Sequence, residues 1–287
     1  MDLNKNKILC STGTIIGRLN DFDYTLTPEY AKSIDSDGYE FMMEPFWNEE
    51  EKVDAIVSYL LPFGINFETL HMDKYIGDMI SRDGPGDLEE ARRIFELDCK
   101  AAKKLGAGLL VLHLWGGPSS DKNIGKNIKV YADLLETAGK YDLELSVENV
   151  VCNTYNALVH MEKLYETYKS AMKFTIDVRH AEFHKMVKAT CEARFLWDNG
   201  LVPHFHIADY KGAYMDWSKL RPVLPPGEGE IDFLYLSDFL KKTGYKGSFT
   251  LEASGAMKET GMDFEKLNKC LDFIRALVKR QEGSKTK

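Results

Sequence analysis

Eight short apolar runs recur along the chain: KILCSTG (7–13), YEFMMEP (39–45), INFETLHM (65–72), GLLVLHLWGG (108–117), LELSVENV (143–150), KFTIDV (173–178), VPHFHIAD (202–209) and SFTLEAS (248–254). Their length and their β-branched and aromatic content predict strands. Longer segments between them carry the helical period instead: 49–64, 87–108, 127–142, 157–170, 233–244 and 264–280. The first stops at Pro62-Phe63-Gly64, and the second opens on Asp87 as a cap and closes at Gly106. Strand and helix alternating about eight times specify a parallel sheet, and eight units favour a closed (β/α)8 TIM barrel of α/β class in one domain. An open doubly wound sheet would carry a glycine-rich phosphate loop after its first strand, and STGTIIGRL (11–19) is not one.

Length and charge narrow the class. A chain of 287 residues suits a single barrel. It can bury roughly three quarters of its unfolded surface without disulfides. A net charge of -8 disfavours a general nucleic-acid or anionic-membrane binder, because neither surface of phosphates is recruited by an acidic one. Five dispersed cysteines (Cys10, Cys99, Cys152, Cys191, Cys270) lack metal spacing and read as reduced thiols. The N-terminus lacks a signal-peptide core and no apolar run reaches membrane-spanning length. The expectation is a cytoplasmic protein with a small-molecule substrate; homo-oligomerisation is compatible with the pattern but not specified by it.

The period of two then sorts the strand residues by face. In LELSVE the apolar Leu143, Leu145 and Val147 share the helix-facing side, which leaves Ser146 and Glu148 inward. The same phase turns Thr175 and Asp177, His204 and His206, and Thr250 and Glu252 toward the barrel axis, and adds His71 and His113. A lone histidine or carboxylate at a strand end is more often a hydrogen-bonded structural group than a ligand. Six strands each delivering one near the C-terminal end, where such barrels build their sites, are not explained that way. No basic residue lies near these groups on those strands, so converging acids call for a cation. The reading is a divalent ion held by Glu148, Asp177, His206 and Glu252; three carboxylates and an imidazole suit Mn²⁺, Mg²⁺, Co²⁺ or Zn²⁺.

Other residues read as structural. His160 and His184 are expected to be surface or packing residues, and His204 a core group one layer below His206. Glu44 could face the mouth or be structural, and Trp47 and Trp115 could line a pocket or simply pack. PPGEGEID (225–232) looks like a phosphate loop, but it precedes a helix for which Asp232 is the expected N-cap.

Asp177 with His180 (D-x-x-H), HIAD at 206–209, PGEGEID at 226–232 and the Glu-ending last strand LEAS (251–254) together resemble the xylose isomerase-like barrel superfamily across nearly the whole chain. That group includes sugar and sugar-phosphate isomerases and epimerases, inosose dehydratases and the endonuclease IV type of abasic-site nuclease. The resemblance implies one barrel domain over residues 1–287. For the epimerase type it implies one metal on Glu148, Asp177, His206 and Glu252. The two glutamates would exchange the substrate proton through a metal-stabilised enediolate, with His180 on the sugar oxygens. His71 and His113 match either substrate-binding groups or, with Glu148, ligands of a second metal in the zinc nucleases. The third nuclease zinc needs a D-x-H pair after the seventh strand, and 216–229 offers Asp216 but no histidine. A metal-dependent sugar or polyol isomerase or epimerase is therefore the expected activity, with a zinc phosphodiesterase or a dehydratase-like lyase as alternatives.

Overall fold

The structure, a computed structural model, describes residues 6–253, 257–258 and 261–279. Ser254 of the last motif, Met1–Lys5 and the chain beyond Lys279 lie outside them. Eight parallel strands close into a barrel in sequence order: β1 (Ile8–Ser11), β2 (Gly38–Met42), β3 (Phe67–His71), β4 (Leu109–Leu112), β5 (Glu144–Glu148), β6 (Phe174–Asp177), β7 (His204–Ile207) and β8 (Ser248–Leu251). Closure is made by β1 against β8, with Leu9 opposite Thr250. The expected (β/α)8 TIM barrel is thus what the chain forms, each strand falling inside its apolar run except β2, which begins one residue earlier at Gly38.

The alternation does what the sequence implies. Outward side chains pack against helices: the ring of Phe205 stacks on Phe249 at 5.4 Å and on Trp197 at 6.1 Å. Inward polar groups satisfy one another across the axis, as burial requires. Ser146 Oγ and Thr175 Oγ1 are 2.7 Å apart, and His204 bonds Ser248 Oγ at 2.6 Å and Thr250 Oγ1 at 3.0 Å. His204 is therefore a core group, as its depth suggested. All five cysteines are buried and free.

Two local expectations need correction. The helix Asp87–Leu105 is preceded by Gly86 at φ 84°, so Gly86 holds the cap position and Asp87 is the first helical residue. There its carboxylate complements the helix dipole rather than capping a backbone N–H. The helix expected from 127 begins at Gly117 and runs to Lys140 across a break at Asn123. Gly, Pro, Ser and Asp in that first part hide it from propensity, although Pro is well suited to a first turn. Asp232 caps the helix Phe233–Thr243 through Tyr235 N at 2.9 Å, and Gly106 ends its helix left-handed.

The PPGEGEID loop carries a carboxylate in place of the anion it resembles a receptor for. Asp209 Oδ2 accepts from Gly227 N and Gly229 N, both at 2.9 Å, and Oδ1 from Tyr210 N at 2.8 Å and Ile231 N at 3.2 Å. A Cβ on Gly229 would sit 2.3 Å from Asp209 Oδ1, so only glycine allows this wrap. Asp209 links the end of β7 to the loop and fills it from within. Among the described residues no helix is long and apolar enough to cross a membrane.

Candidate metal centre at the barrel mouth

Glu148, the last residue of β5, lies at the middle of the mouth and is buried. Its Oε2 meets His113 Nε2 at 2.6 Å and His71 Nε2 at 3.3 Å; its Oε1 meets His206 Nδ1 at 3.4 Å and His180 Nδ1 at 3.3 Å. Glu252 follows β8 directly, its backbone N held by Ile207 O at 3.1 Å, and its Oε1 reaches His206 Nδ1 at 3.4 Å. Ligand atoms of Glu148, Asp177, His206 and Glu252 all lie within 4.8 Å of one another, as do those of His71, His113 and Glu148. The six inward strand-end residues converge, and His180 joins them from the rim.

Asp177 has two tasks. It ends β6 and caps the short helix Val178–Phe183, Oδ1 accepting from His180 N at 2.9 Å. Asn149 grips its backbone from both sides, donating to Asp177 O at 3.0 Å and accepting from Asp177 N. With the cap fixed, Oδ2 is left buried and accepts no hydrogen bond among the described residues. A buried carboxylate oxygen with no donor is costly unless a cation meets it. The donor set, three carboxylates and one imidazole at one locus, with Oδ2 not hydrogen-bonded and the Arg179 guanidinium 3.7 Å from it, fits a hard or borderline divalent ion.

The electrostatics show the same deficit of positive charge. Burial alone would raise Glu148, but His113 and His206 outweigh it and hold the carboxyl well below its ordinary range. Burial pushes Glu252 up to about 7, against the pull of His206 and with the Glu148, Asp177 and Glu40 carboxylates reinforcing it. Burial would lower His71, yet the Glu148 carboxylate lifts it to about 9. Burial wins at His113, which falls to about 4 despite Glu148 and with the neighbouring His71 adding to the fall.

Three groups at the site escaped the sequence reading. Glu40 on β2 is fully buried, and its Oε2 accepts from Thr69 Oγ1 at 2.9 Å and lies 3.2 Å from His206 Nε2. Its inward phase between Tyr39 and Phe41 was the available signal. Asn149 gave none. Arg179, adjoining the strands said to lack basic residues, places its guanidinium 2.7 Å from His180 Nε2 and 3.7 Å from Asp177 Oδ2. His160 and His184 are both buried rather than on the surface: His160 Nε2 pairs with Asp121 Oδ1 at 2.8 Å, and His184 Nε2 accepts from Cys152 N at 2.9 Å. Trp47 packs on Phe41, and Trp115 bonds Val150 O at 2.9 Å, so both are packing residues; Glu44 is half-buried.

Solved structures share this architecture. The E. coli 3-keto-D-glucoside 4-epimerase YcjR superposes with a TM-score of 0.66 at 17% identity, over 95% of this chain and 100% of that one. The Clostridium cellulolyticum H10 D-psicose 3-epimerase gives 0.68 at 14% identity, over 96% and 100%. The Methylomonas sp. D-allulose 3-epimerase gives 0.67 at 15%, over 96% and 99%. In sequence, the uncharacterised protein MJ1311 of Methanocaldococcus jannaschii is 23% identical over 245 residues, covering 78% of this chain and 80% of that protein. The family model for the xylose isomerase-like TIM barrel matches residues 28–272, and with a closed eight-stranded barrel beneath the match this chain belongs to that family.

Proposed function

We propose that this protein is a divalent-metal-dependent isomerase or epimerase of a sugar or polyol, within one barrel domain. The observation that carries the reading is the buried set Glu148, Asp177, His206 and Glu252, with Asp177 Oδ2 left without a hydrogen bond. Mn²⁺, Mg²⁺, Co²⁺ or Zn²⁺ bound there would supply a Lewis acid that polarises a carbonyl and acidifies the adjoining C–H. The chain's own residues then divide the work. Glu148 from β5 and Glu252 from β8 bring carboxylates to the centre from different strands, so one can remove the proton and the other return it to the opposite face. His180, His71 and His113 bind substrate oxygens, and the remaining face of Glu252, 14% exposed, is open to an incoming molecule. That the solved structures named above include sugar epimerases supports this assignment.

A second reading rests on one observation, the grouping of His71, His113 and Glu148, which could hold another ion as in a zinc phosphodiesterase. The experiment is to count and identify the metal ions in purified protein and assay free and phosphorylated keto-sugars with Mn²⁺ or Co²⁺. One ion per chain and interconversion of a sugar pair is the expected result. Two or three zinc ions with cleavage of abasic DNA and no sugar turnover would overturn it, and water loss from the substrate would make the protein a lyase.

A further inference from the structure

Two histidines face Glu148 Oε1 through Nδ1, His206 at 3.4 Å and His180 at 3.3 Å, and the group behind each ring differs in kind. Behind His206 is an acceptor: Glu40 Oε2 lies 3.2 Å from Nε2, fully buried and tied to β3 by Thr69 Oγ1 at 2.9 Å. Behind His180 is a donor: Arg179 Nη2 lies 2.7 Å from Nε2, and Arg179 Nη1 reaches Leu220 O at 3.3 Å. A carboxylate can only accept and a guanidinium can only donate. A neutral ring has one N–H and one lone pair, so the far partner decides which nitrogen faces the site.

We propose that Glu40 and Arg179 are positioning residues that give the two histidines opposite roles: Glu40 keeps His206 Nε2 protonated and turns a bare Nδ1 to the metal, whereas Arg179 occupies the His180 Nε2 lone pair and leaves Nδ1–H as a hydrogen-bond donor. This rests on the metal centre proposed above. His180 then has no free nitrogen for an ion. Its Nδ1 lies 3.3 Å from both Glu148 Oε1 and Asp177 Oδ2 and is hydrogen-bonded to neither, which leaves an Nδ1–H available to a substrate oxygen. A fixed guanidinium beside it also opposes a further cation on that side. The centre is therefore built for one ion on the His206 side and for a substrate hydroxyl or carbonyl on the His180 side.

The test uses Zn²⁺, which is diamagnetic, on the full-length protein. In the zinc-loaded wild type, long-range ¹⁵N–¹H spectra of the imidazoles should show His206 protonated at Nε2 and His180 protonated at Nδ1. Calorimetric titration should give a Zn²⁺ affinity lower by about 10–100-fold in Glu40→Gln, the range seen on losing such an outer carboxylate, with Glu40→Asp recovering part of it. Arg179→Met should release His180 into a mixture of the two tautomers, and Arg179→Lys, which keeps a donor, should restore the Nδ1–H form. The wild-type spectra decide the matter if Glu40→Gln does not fold. His180 protonated at Nε2, or a Glu40→Gln affinity within about twofold of wild type, overturns the inference. A wild type that takes up no Zn²⁺, Mn²⁺ or Co²⁺ overturns the metal centre itself.

Discussion

Asp177 separates structure from chemistry on one side chain, and two substitutions should divide them. Asp177→Asn keeps Oδ1 for His180 N, and asparagine caps as well as aspartate, so the metal-free protein should melt within about 1 °C of wild type. Asp177→Ala loses the cap, worth about 1 kcal/mol, which for a chain this long is roughly 2 °C. Oδ2, which accepts no hydrogen bond and has the Arg179 guanidinium 3.7 Å away, is a different matter, since its charge is what a metal ion would meet. With Mn²⁺ at about 100 times its Kd, the wild type should gain about 2.7 kcal/mol, or roughly 5 °C. If removing that charged ligand weakens the site about a hundredfold, the gain at the same concentration falls to about 0.4 kcal/mol, under about 1 °C. Differential scanning calorimetry with and without Mn²⁺ reads both quantities. A full wild-type Mn²⁺ shift in Asp177→Asn would refute the assignment of Oδ2 as a ligand, and an unchanged Tm in metal-free Asp177→Ala would refute the cap's contribution.

Glu252→Gln removes a proton-transfer group while keeping its shape, and should lower kcat by about 10²–10⁴-fold on whichever sugar is turned over; undiminished kcat would take Glu252 out of the mechanism. Asp209→Ala would orphan the N–H groups of Tyr210, Gly227, Gly229 and Ile231, and should destabilise the protein by about 3 kcal/mol or more, with Gly227 and Gly229 amides losing hydrogen-exchange protection first. Retained protection there would show that the loop holds itself. Asp98 is buried, and that burial raises its carboxyl well above its ordinary value of 3.8. As pH climbs past that value the unfolded chain releases a proton that the native state keeps, so stability is lost with rising pH. Asp98→Asn still accepts from Asp73 N and should out-melt wild type at pH 7, the advantage vanishing below about pH 4; a pH-independent difference would contradict this.

Much of this site was legible because a strand has a rigid period. Phe174 and Ile176 on the helix side oblige Asp177 to face the axis, and the same reasoning carries Glu148, His206 and Glu252 to one end of one barrel. Glu40 obeys that rule too, but its partner, His206, lies 166 positions away, a pairing no local pattern signals. Arg179 could not be read at all: its neighbour on the chain is His180, but whether the guanidinium reaches that ring depends on how the turn after β6 folds back over it. The GEG loop shows the limit from the other direction, since its glycines fit an anion receptor and only the folded chain puts Asp209 inside it. Alternation and composition determined the barrel and which residues line its mouth, because those depend on local geometry repeated strand by strand. Closure of β1 on β8 and the packing of the rim decided which atom meets which, because hydrogen bonds between distant segments depend on ångström-scale placement that no local pattern encodes.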